Sequence, residues 1–179
     1  DIAGAVRAIA ACGGDIRSMS TLADGARRFV VACSGVEHQQ AVRAALATSP
    51  GVRVVAITDA TFDLHVGGKI EVTPRVSVTN ADELAMAYTP GVGRVSTAIA
   101  EDVSKVWTHT GRSNAVAVLS DGTAVLGLGN IGPEAAMPVM EGKAVLFKQF
   151  GGVDAYPICI NAKTVDDIIA VARAIAPTF

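Results

Sequence analysis

Two residues of this 179-residue chain, Tyr88 and Lys143, have types and settings that suit proton transfer. Tyr88 ends a predicted helix that begins at the capping sequence Asn80–Glu83. Thr89-Pro90-Gly91 stops that helix, because a residue before proline avoids helical backbone. The hydroxyl either faces a cleft or bonds to backbone inside the core, as buried tyrosines usually do. The spacing alone favours the second interpretation.

Lys143 falls on the apolar face of a predicted helix that begins at Pro138 and stops at Gly151-Gly152. At 3.6 residues per turn, that face also carries Val139, Met140, Leu146, Phe147 and Phe150. Burial disfavours the charged form of a lysine, which is how a lysine becomes a usable base near neutral pH. The alternative is an aliphatic stem on the core with its ammonium in water, and the pattern supports both equally.

A literal match to the dinucleotide pattern GxGxxG runs from Gly127 to Gly132. That pattern binds pyrophosphate inside a parallel β-α-β unit. Here Asn114–Leu119 and Thr123–Leu128 are predicted to form an antiparallel hairpin around an Asp-Gly turn. Pro133 also follows the last glycine at once. We therefore interpret the glycines as permitting a tight turn and close packing, and a Rossmann oxidoreductase that uses them is the alternative.

Composition limits the classes of function. Half of the residues are hydrophobic but only 4% are aromatic, which favours an α/β fold with a core of small aliphatic side chains. The formal net charge is -2 and no Lys/Arg run stands out, which argues against a nucleic-acid partner. No apolar stretch approaches the roughly 20 residues of a membrane span, and no signal peptide is visible.

The cysteines and histidines show no metal-ligand or disulfide spacing. Three widely separated cysteines without a CxxC pair fit small core residues in a reducing cytoplasm, so we expect a cytoplasmic protein. The three histidines are equally dispersed, and none is predicted to bind metal. These residues are Cys12, Cys33 and Cys159, and His38, His65 and His109.

The first 66 residues are predicted to follow the order α-β-β-α-β. The five segments are Ile2–Ala11, Asp15–Leu22, Arg28–Cys33, Glu37–Ala47 and Val52–Ile57. A seam with two glycines, Gly67 and Gly68, separates them from the rest, so the predicted domains are 1–66 and 67–179.

That order resembles an ACT domain, a small regulatory βαββαβ fold, without its first strand. The phrases AACGGDIRSMS (10–20) and PGVRVVAITDATF (50–62) are similar to the matching parts of ACT domains attached to bacterial malic enzymes. A generic α/β sandwich is the alternative. The resemblance implies a small-molecule regulator, and the exposed edge of an incomplete sheet predicts a homodimer or higher homo-oligomer.

The later segment resembles the N-terminal domain of malic enzymes over residues 69–179. The resemblance rests on AYTPGV (87–92), on the long stretch NAVAVL…ICI (114–160) and on IAPTF (175–179). It implies oxidative decarboxylation of malate to pyruvate and CO2 with NAD or NADP and Mg2+ or Mn2+. The tyrosine of the family's YTPGV motif is its general acid, here Tyr88. The lysine of its EGK motif is its general base, here Lys143.

The implied mechanism has Lys143 taking the proton of the malate C2 hydroxyl as hydride leaves for the nicotinamide. A divalent metal then stabilises the enolate as CO2 departs, and Tyr88 protonates C3 of enolpyruvate. Eukaryotic-type members carry a carboxylate-binding arginine where this sequence has Ala124.

The family's metal ligands and nucleotide-binding glycines lie beyond IAPTF. The resemblance therefore predicts no cofactor-binding or metal-binding residue within these 179, and it predicts that this chain alone is inactive. A free-standing metabolite-binding module without catalysis is the competing interpretation.

Overall fold

Helices and short strands alternate through the computed structural model, which describes residues Asp1–Phe179 and confirms the α/β class. The chain divides into two units, Asp1–Ala60 and Thr61–Phe179. No helix has both the length and the apolar character needed to cross a membrane.

The first unit holds two helices and one antiparallel pair of strands. Its elements are α1 (Ile2–Ala11), β1 (Asp15–Thr21), β2 (Arg27–Ala32) and α2 (Val36–Thr48). The apolar spacing predicted this α-β-β-α order. The fully buried Ile9 and the buried Ala5 and Val42 form the core where α1 meets α2.

The predicted third strand at Val52–Ile57 is wrong, because the segment has no regular structure. Its hydrophobic alternation suits a strand, yet a strand also needs a neighbour to complete its backbone hydrogen bonds. The sheet of this unit contains only β1 and β2, and Val55 remains 73% exposed. Alternation predicts a side-chain pattern but not a pairing partner.

The second unit begins with four helices. They are α3 (Ala60–His65), α4 (Ala81–Ala87), α5 (Val92–Glu101) and α6 (Val106–His109). Short 3-10 turns at Val103–Lys105 and Gly111–Asn114 connect α5 to α6 and α6 to the sheet.

A β-α-β unit follows. Its elements are β3 (Ala115–Ser120), α7 (Pro133–Gly151) and β4 (Asp154–Cys159), and α8 (Val165–Ile175) comes next. The two strands are parallel, in register from Ala115 opposite Asp154 to Ser120 opposite Cys159. α7 packs on this sheet through small and flexible side chains, since Ala136, Met140 and Ala144 are buried.

The predicted antiparallel hairpin is therefore wrong. Thr123–Leu128 is not a strand, and the partner of β3 lies beyond α7 in the sequence. The Asp-Gly pair does turn the chain, but the residues after it bond to one another, as in the bond from Val125 N–H to the Gly129 carbonyl. A turn motif of neighbouring residues carries no information on a distant strand that can pair with the same edge of β3.

α7 begins five residues earlier than predicted, at Pro133, with Pro138 inside it. Proline at the first helical position is favourable, whereas an internal proline removes one backbone hydrogen bond. Burial of Ala136 and Met140 on either side of Pro138 offsets that loss. The predicted stop is confirmed, because Gly152 caps the helix in the left-handed conformation at φ +67°.

Candidate functional site

Tyr88 stands at the end of a helix with a defined start. The Asn80 side chain accepts a hydrogen bond from the Glu83 N–H (2.9 Å) and caps α4. Glu83 turns back to accept hydrogen bonds from the backbone and side chain of Thr79, and these bonds lower the pKa of Glu83. The last N–H of the helix, that of Tyr88, reaches the Leu84 carbonyl at 2.9 Å.

A tight reversal follows Tyr88. The Thr89–Pro90 peptide is cis, the Gly91 N–H donates to the Ala85 carbonyl (2.7 Å), and the Val92 N–H donates to the Tyr88 carbonyl (2.8 Å). A Cβ on Gly91 would lie 2.5 Å from the Ala85 oxygen, so only glycine fits. This reversal fixes the direction in which α5 leaves Tyr88.

The Tyr88 side chain is 68% exposed and makes no hydrogen bond. The interpretation as a core tyrosine, which spacing favoured, therefore does not hold. Its phenol projects from a constrained turn and remains free to meet a ligand or another part of a protein.

Lys143 is exposed on α7, so it does not lie within a buried stripe. It sits about 60° around the helix from the buried Met140. Its apolar neighbours on that flank are exposed as well: Leu146 is 55% and Phe150 is 83% exposed. Of the predicted apolar face only Met140 is buried, and α7 packs on the sheet through Met140, Ala136 and Ala144. Lys143 makes no ion pair and no side-chain hydrogen bond.

The seam at Gly67 and Gly68, with the neighbouring Lys69, docks on a different side of α7. The Lys69 ammonium donates to the Pro138 carbonyl (2.6 Å) and to His65 Nε2 (2.7 Å), while the Lys69 N–H donates to Glu141 (3.1 Å). Gly68 adopts φ +84°, and a Cβ there would come within 3.0 Å of Glu141. The paired glycines signalled a special backbone, but nothing in their spacing indicated that α7 was the docking surface.

The glycine-rich loop lies between parallel strands, which is the setting that the sequence argument had excluded. Its two ends are pinned together, because the N–H groups of Ile131 and Gly132 both donate to the Gly122 carbonyl (3.1 and 3.2 Å). Thr123 donates through its backbone and its hydroxyl to Asp121, which lowers the pKa of that carboxyl. The exposed tip carries Leu126 at φ +49°, a conformation rare for a residue with a side chain.

Several features of this loop fit a pyrophosphate poorly. In the dinucleotide motif the glycines follow the strand directly, whereas here the segment 121–126 intervenes between β3 and Gly127. Pro133 removes one N–H from the start of α7, and Glu134 places a carboxylate in its first turn. Both oppose an anion at a helix N-terminus. That the loop is not a cofactor cradle stays a prediction, although the hairpin argument for it was wrong.

The residues present do not form a metal centre. No group of three or more His, Cys, Asp or Glu side chains lies close enough together to hold an ion. The three cysteines are free, and burial raises the pKa of the Cys159 thiol. No metal-dependent step is assigned to residues of this chain.

Two open depressions mark the surface of the second unit. One, of about 420 Å³, lies between α4, α5 and α6, and the other, of about 540 Å³, lies between the end of β4 and α8. Neither is lined by Tyr88 or Lys143, and no hydrogen bond joins these two residues. The chain thus presents two exposed proton-transfer candidates whose side chains make no ion pair or hydrogen bond.

Comparison with known proteins gives a consistent result. A family model described as the malic enzyme N-terminal domain matches residues 67–171. An NAD-dependent malic enzyme of Geobacillus stearothermophilus is 49% identical over 176 residues, which are 96% of this chain and 37% of that protein. NAD-dependent malic enzyme 1 of Bacillus subtilis is 40% identical over 177 residues, which are 96% of this chain and 40% of that protein.

Solved structures agree with the sequence relatives. The malic enzyme of Pyrococcus horikoshii superimposes with a TM-score of 0.62 at 57% identity, over 63% of this chain and 26% of that one. The NAD-dependent malic enzyme of Thermotoga maritima superimposes with a TM-score of 0.65 at 47% identity, over 69% of this chain and 35% of that one. This chain therefore spans well under half the length of the relatives that it matches.

Proposed function

This chain belongs to the malic enzyme family, and we propose that it supplies Lys143 and Tyr88 as the base and the acid of malate oxidation and decarboxylation. The observation that carries the proposal is the 49% identity to an NAD-dependent malic enzyme along nearly the whole chain. The products are pyruvate and CO2. NAD or NADP, the nucleotides named for the relatives, would accept the hydride.

Lys143 acts first. The Lys143 amine accepts the proton of the C2 hydroxyl as malate is oxidised to oxaloacetate, and a bound NAD or NADP would take the hydride of the C2–H bond. Two observations support this role: the ammonium has no carboxylate partner that would hold its charge, and its flank is apolar.

Tyr88 acts last. After CO2 leaves, the phenol donates its proton to C3 of enolpyruvate and pyruvate forms. The exposed, unbonded hydroxyl and the constrained turn at Gly91 support this role, because a proton donor must be both free and fixed in direction.

The proposed assembly extends beyond these two residues. We propose residues 1–66 as an ACT-like regulatory domain that takes a small metabolite, and 67–179 as the catalytic N-terminal domain. The complete enzyme would be a cytoplasmic homodimer or higher oligomer that uses NAD(P) and Mg2+ or Mn2+. The exposed apolar side chains Phe62 and Phe150, 77% and 83% exposed, support association with further protein surface.

The test is malate-dependent reduction of NAD or NADP by the full-length enzyme that contains this chain. Lys143→Ala should abolish turnover, because no other lysine shares its flank of α7. Lys148→Ala is the matched control, since it removes a lysine from the same helix and should keep turnover near the wild-type rate. An active Lys143→Ala enzyme would refute the assignment.

A further inference from the structure

We propose that Arg94 binds a carboxylate of the substrate in the groove between α4, α5 and α6; this inference rests on the proposed function. Arg94, Val95 and Ala98 share one face of α5 and, with Gly91 just before the helix, form one wall. Met86 of α4 and His109 of α6 close the groove, whose volume is about 420 Å³.

Arg94 is the arginine of this groove, and its charge has no partner. The second unit has four arginines, and Arg112 is occupied: it donates to the carbonyls of Ala176 (3.0 Å) and Phe179 (3.1 Å) and stacks over Trp107. Arg75 lies where its charge helps to lower the pKa of Asp154. The Arg94 guanidinium makes no hydrogen bond and no ion pair, and it lines a concave surface.

The chemistry of the ligand follows from the chemistry of the guanidinium. Its planar fork matches a carboxylate through two parallel hydrogen bonds, which a single ammonium such as that of Lys143 cannot form. Malate carries two carboxylates. A lysine that acts as a base and a tyrosine that acts as an acid provide no positive group to pair with them. Met86 and Val95 place two apolar side chains in the same groove.

His109 supplies a second polar group to the groove. Its Nδ1 lies 3.2 Å from the Lys105 carbonyl and 2.8 Å from the Thr108 hydroxyl. A carbonyl only accepts, so Nδ1 carries the proton and Nε2 is left without a protein partner. Nε2 is thus a further polar atom available to a ligand.

The groove is tied to the proposed acid by backbone. Gly91 and Met86 line it, and both belong to the reversal that sets Tyr88, through the bond from the Gly91 N–H to the Ala85 carbonyl. Arg94 lies in the first turn of α5, directly after that reversal. The turn that follows Tyr88 therefore leads directly into the helix that carries Arg94.

The experiment measures kinetics of the full-length enzyme with malate as the varied substrate. Arg94→Gln should raise KM for malate about ten- to hundred-fold, the usual loss for one charge-assisted pair, with kcat and the KM for the nucleotide much less affected. Arg94→Lys keeps the positive charge but loses the planar guanidinium fork, so its KM for malate should lie between those of the wild type and Arg94→Gln. Arg173→Gln removes an exposed arginine of α8 outside the groove and should leave every constant at the wild-type value.

A second readout separates ligand binding from general damage. Malonate, a dicarboxylate, and glycolate, a monocarboxylate, are compared as competitive inhibitors. The preference of the wild-type enzyme for malonate should collapse in Arg94→Gln while glycolate binding changes little. An unchanged malate KM and an unchanged malonate preference would overturn the inference and leave the proposed function standing. A wild-type enzyme that does not oxidise malate would overturn both.

Discussion

Replacing Gly122 by alanine should be among the most destabilising single changes in the second unit. Gly122 is buried at φ +74°, and a Cβ there would lie 2.0 Å from the Gly132 oxygen and 2.7 Å from the Pro133 nitrogen. Those atoms are backbone at the start of α7, so they cannot move aside as a side chain would.

The expected cost has two parts. A left-handed backbone costs an alanine about 1–2 kcal/mol, and forcing a methyl group into a filled space costs about 1–3 kcal/mol more. The sum, roughly 2–5 kcal/mol, is a large fraction of the 5–15 kcal/mol that stabilises a typical domain.

Two glycines of the same loop separate these parts. Gly129 has φ +71° but open space around its Cβ position, so Gly129→Ala should show the backbone cost alone. Gly127 has neither constraint, and Gly127→Ala should be neutral or slightly stabilising, by up to about 1 kcal/mol. Urea unfolding followed by the fluorescence of Trp107, the single tryptophan, gives the three free energies of unfolding for the second unit. If Gly122→Ala costs no more than Gly129→Ala, the proposed backbone contact does not exist.

Two further changes test local contacts by the same unfolding assay. Hydrogen bonds from Lys148 (2.6 Å) and Asn114 lower the pKa of Asp154 in the folded protein. The stability that these bonds give is therefore present above the unfolded-state pKa of about 4. It is lost as the pH falls through the lower pKa of the folded state. Asp154→Asn should therefore lose less stability than the wild type between pH 5 and pH 3, and equal losses would contradict this. Asn80→Ala removes the N-cap of α4 and should lower the free energy of unfolding by about 1 kcal/mol. Asn130, which caps no helix, should tolerate replacement by alanine.

The features that the sequence predicted well depend on neighbouring residues. The cap at Asn80, the helix stop at Gly152 and the proline-glycine reversal after Tyr88 each follow from side chains within a few positions. Those signals are short-range, so no knowledge of the rest of the fold was needed.

The errors share one cause, which is competition over long sequence distances. β3 has a plausible hairpin partner next to it but pairs with β4, because the helix between them returns the chain in parallel. The predicted apolar face around Lys143 is mostly exposed, because periodicity shows which side chains share a face but not which face the sheet covers. The docking of Lys69 on Pro138 depends on a carbonyl, which is present at every residue and leaves no mark in the sequence.

The proposed roles of Lys143 and Tyr88 fall at different steps of the reaction, and the first turnover of the full-length enzyme separates those steps. Rapid mixing with malate and saturating nucleotide should give a burst of reduced nucleotide in Tyr88→Phe, because oxidation precedes the step that needs the phenol, followed by slow turnover. Lys143→Ala should give no burst. Tyr156→Phe, at the chain's second tyrosine, should behave as wild type. A burst of normal size in Lys143→Ala, or the absence of a burst in Tyr88→Phe, would contradict the proposed roles of these two residues.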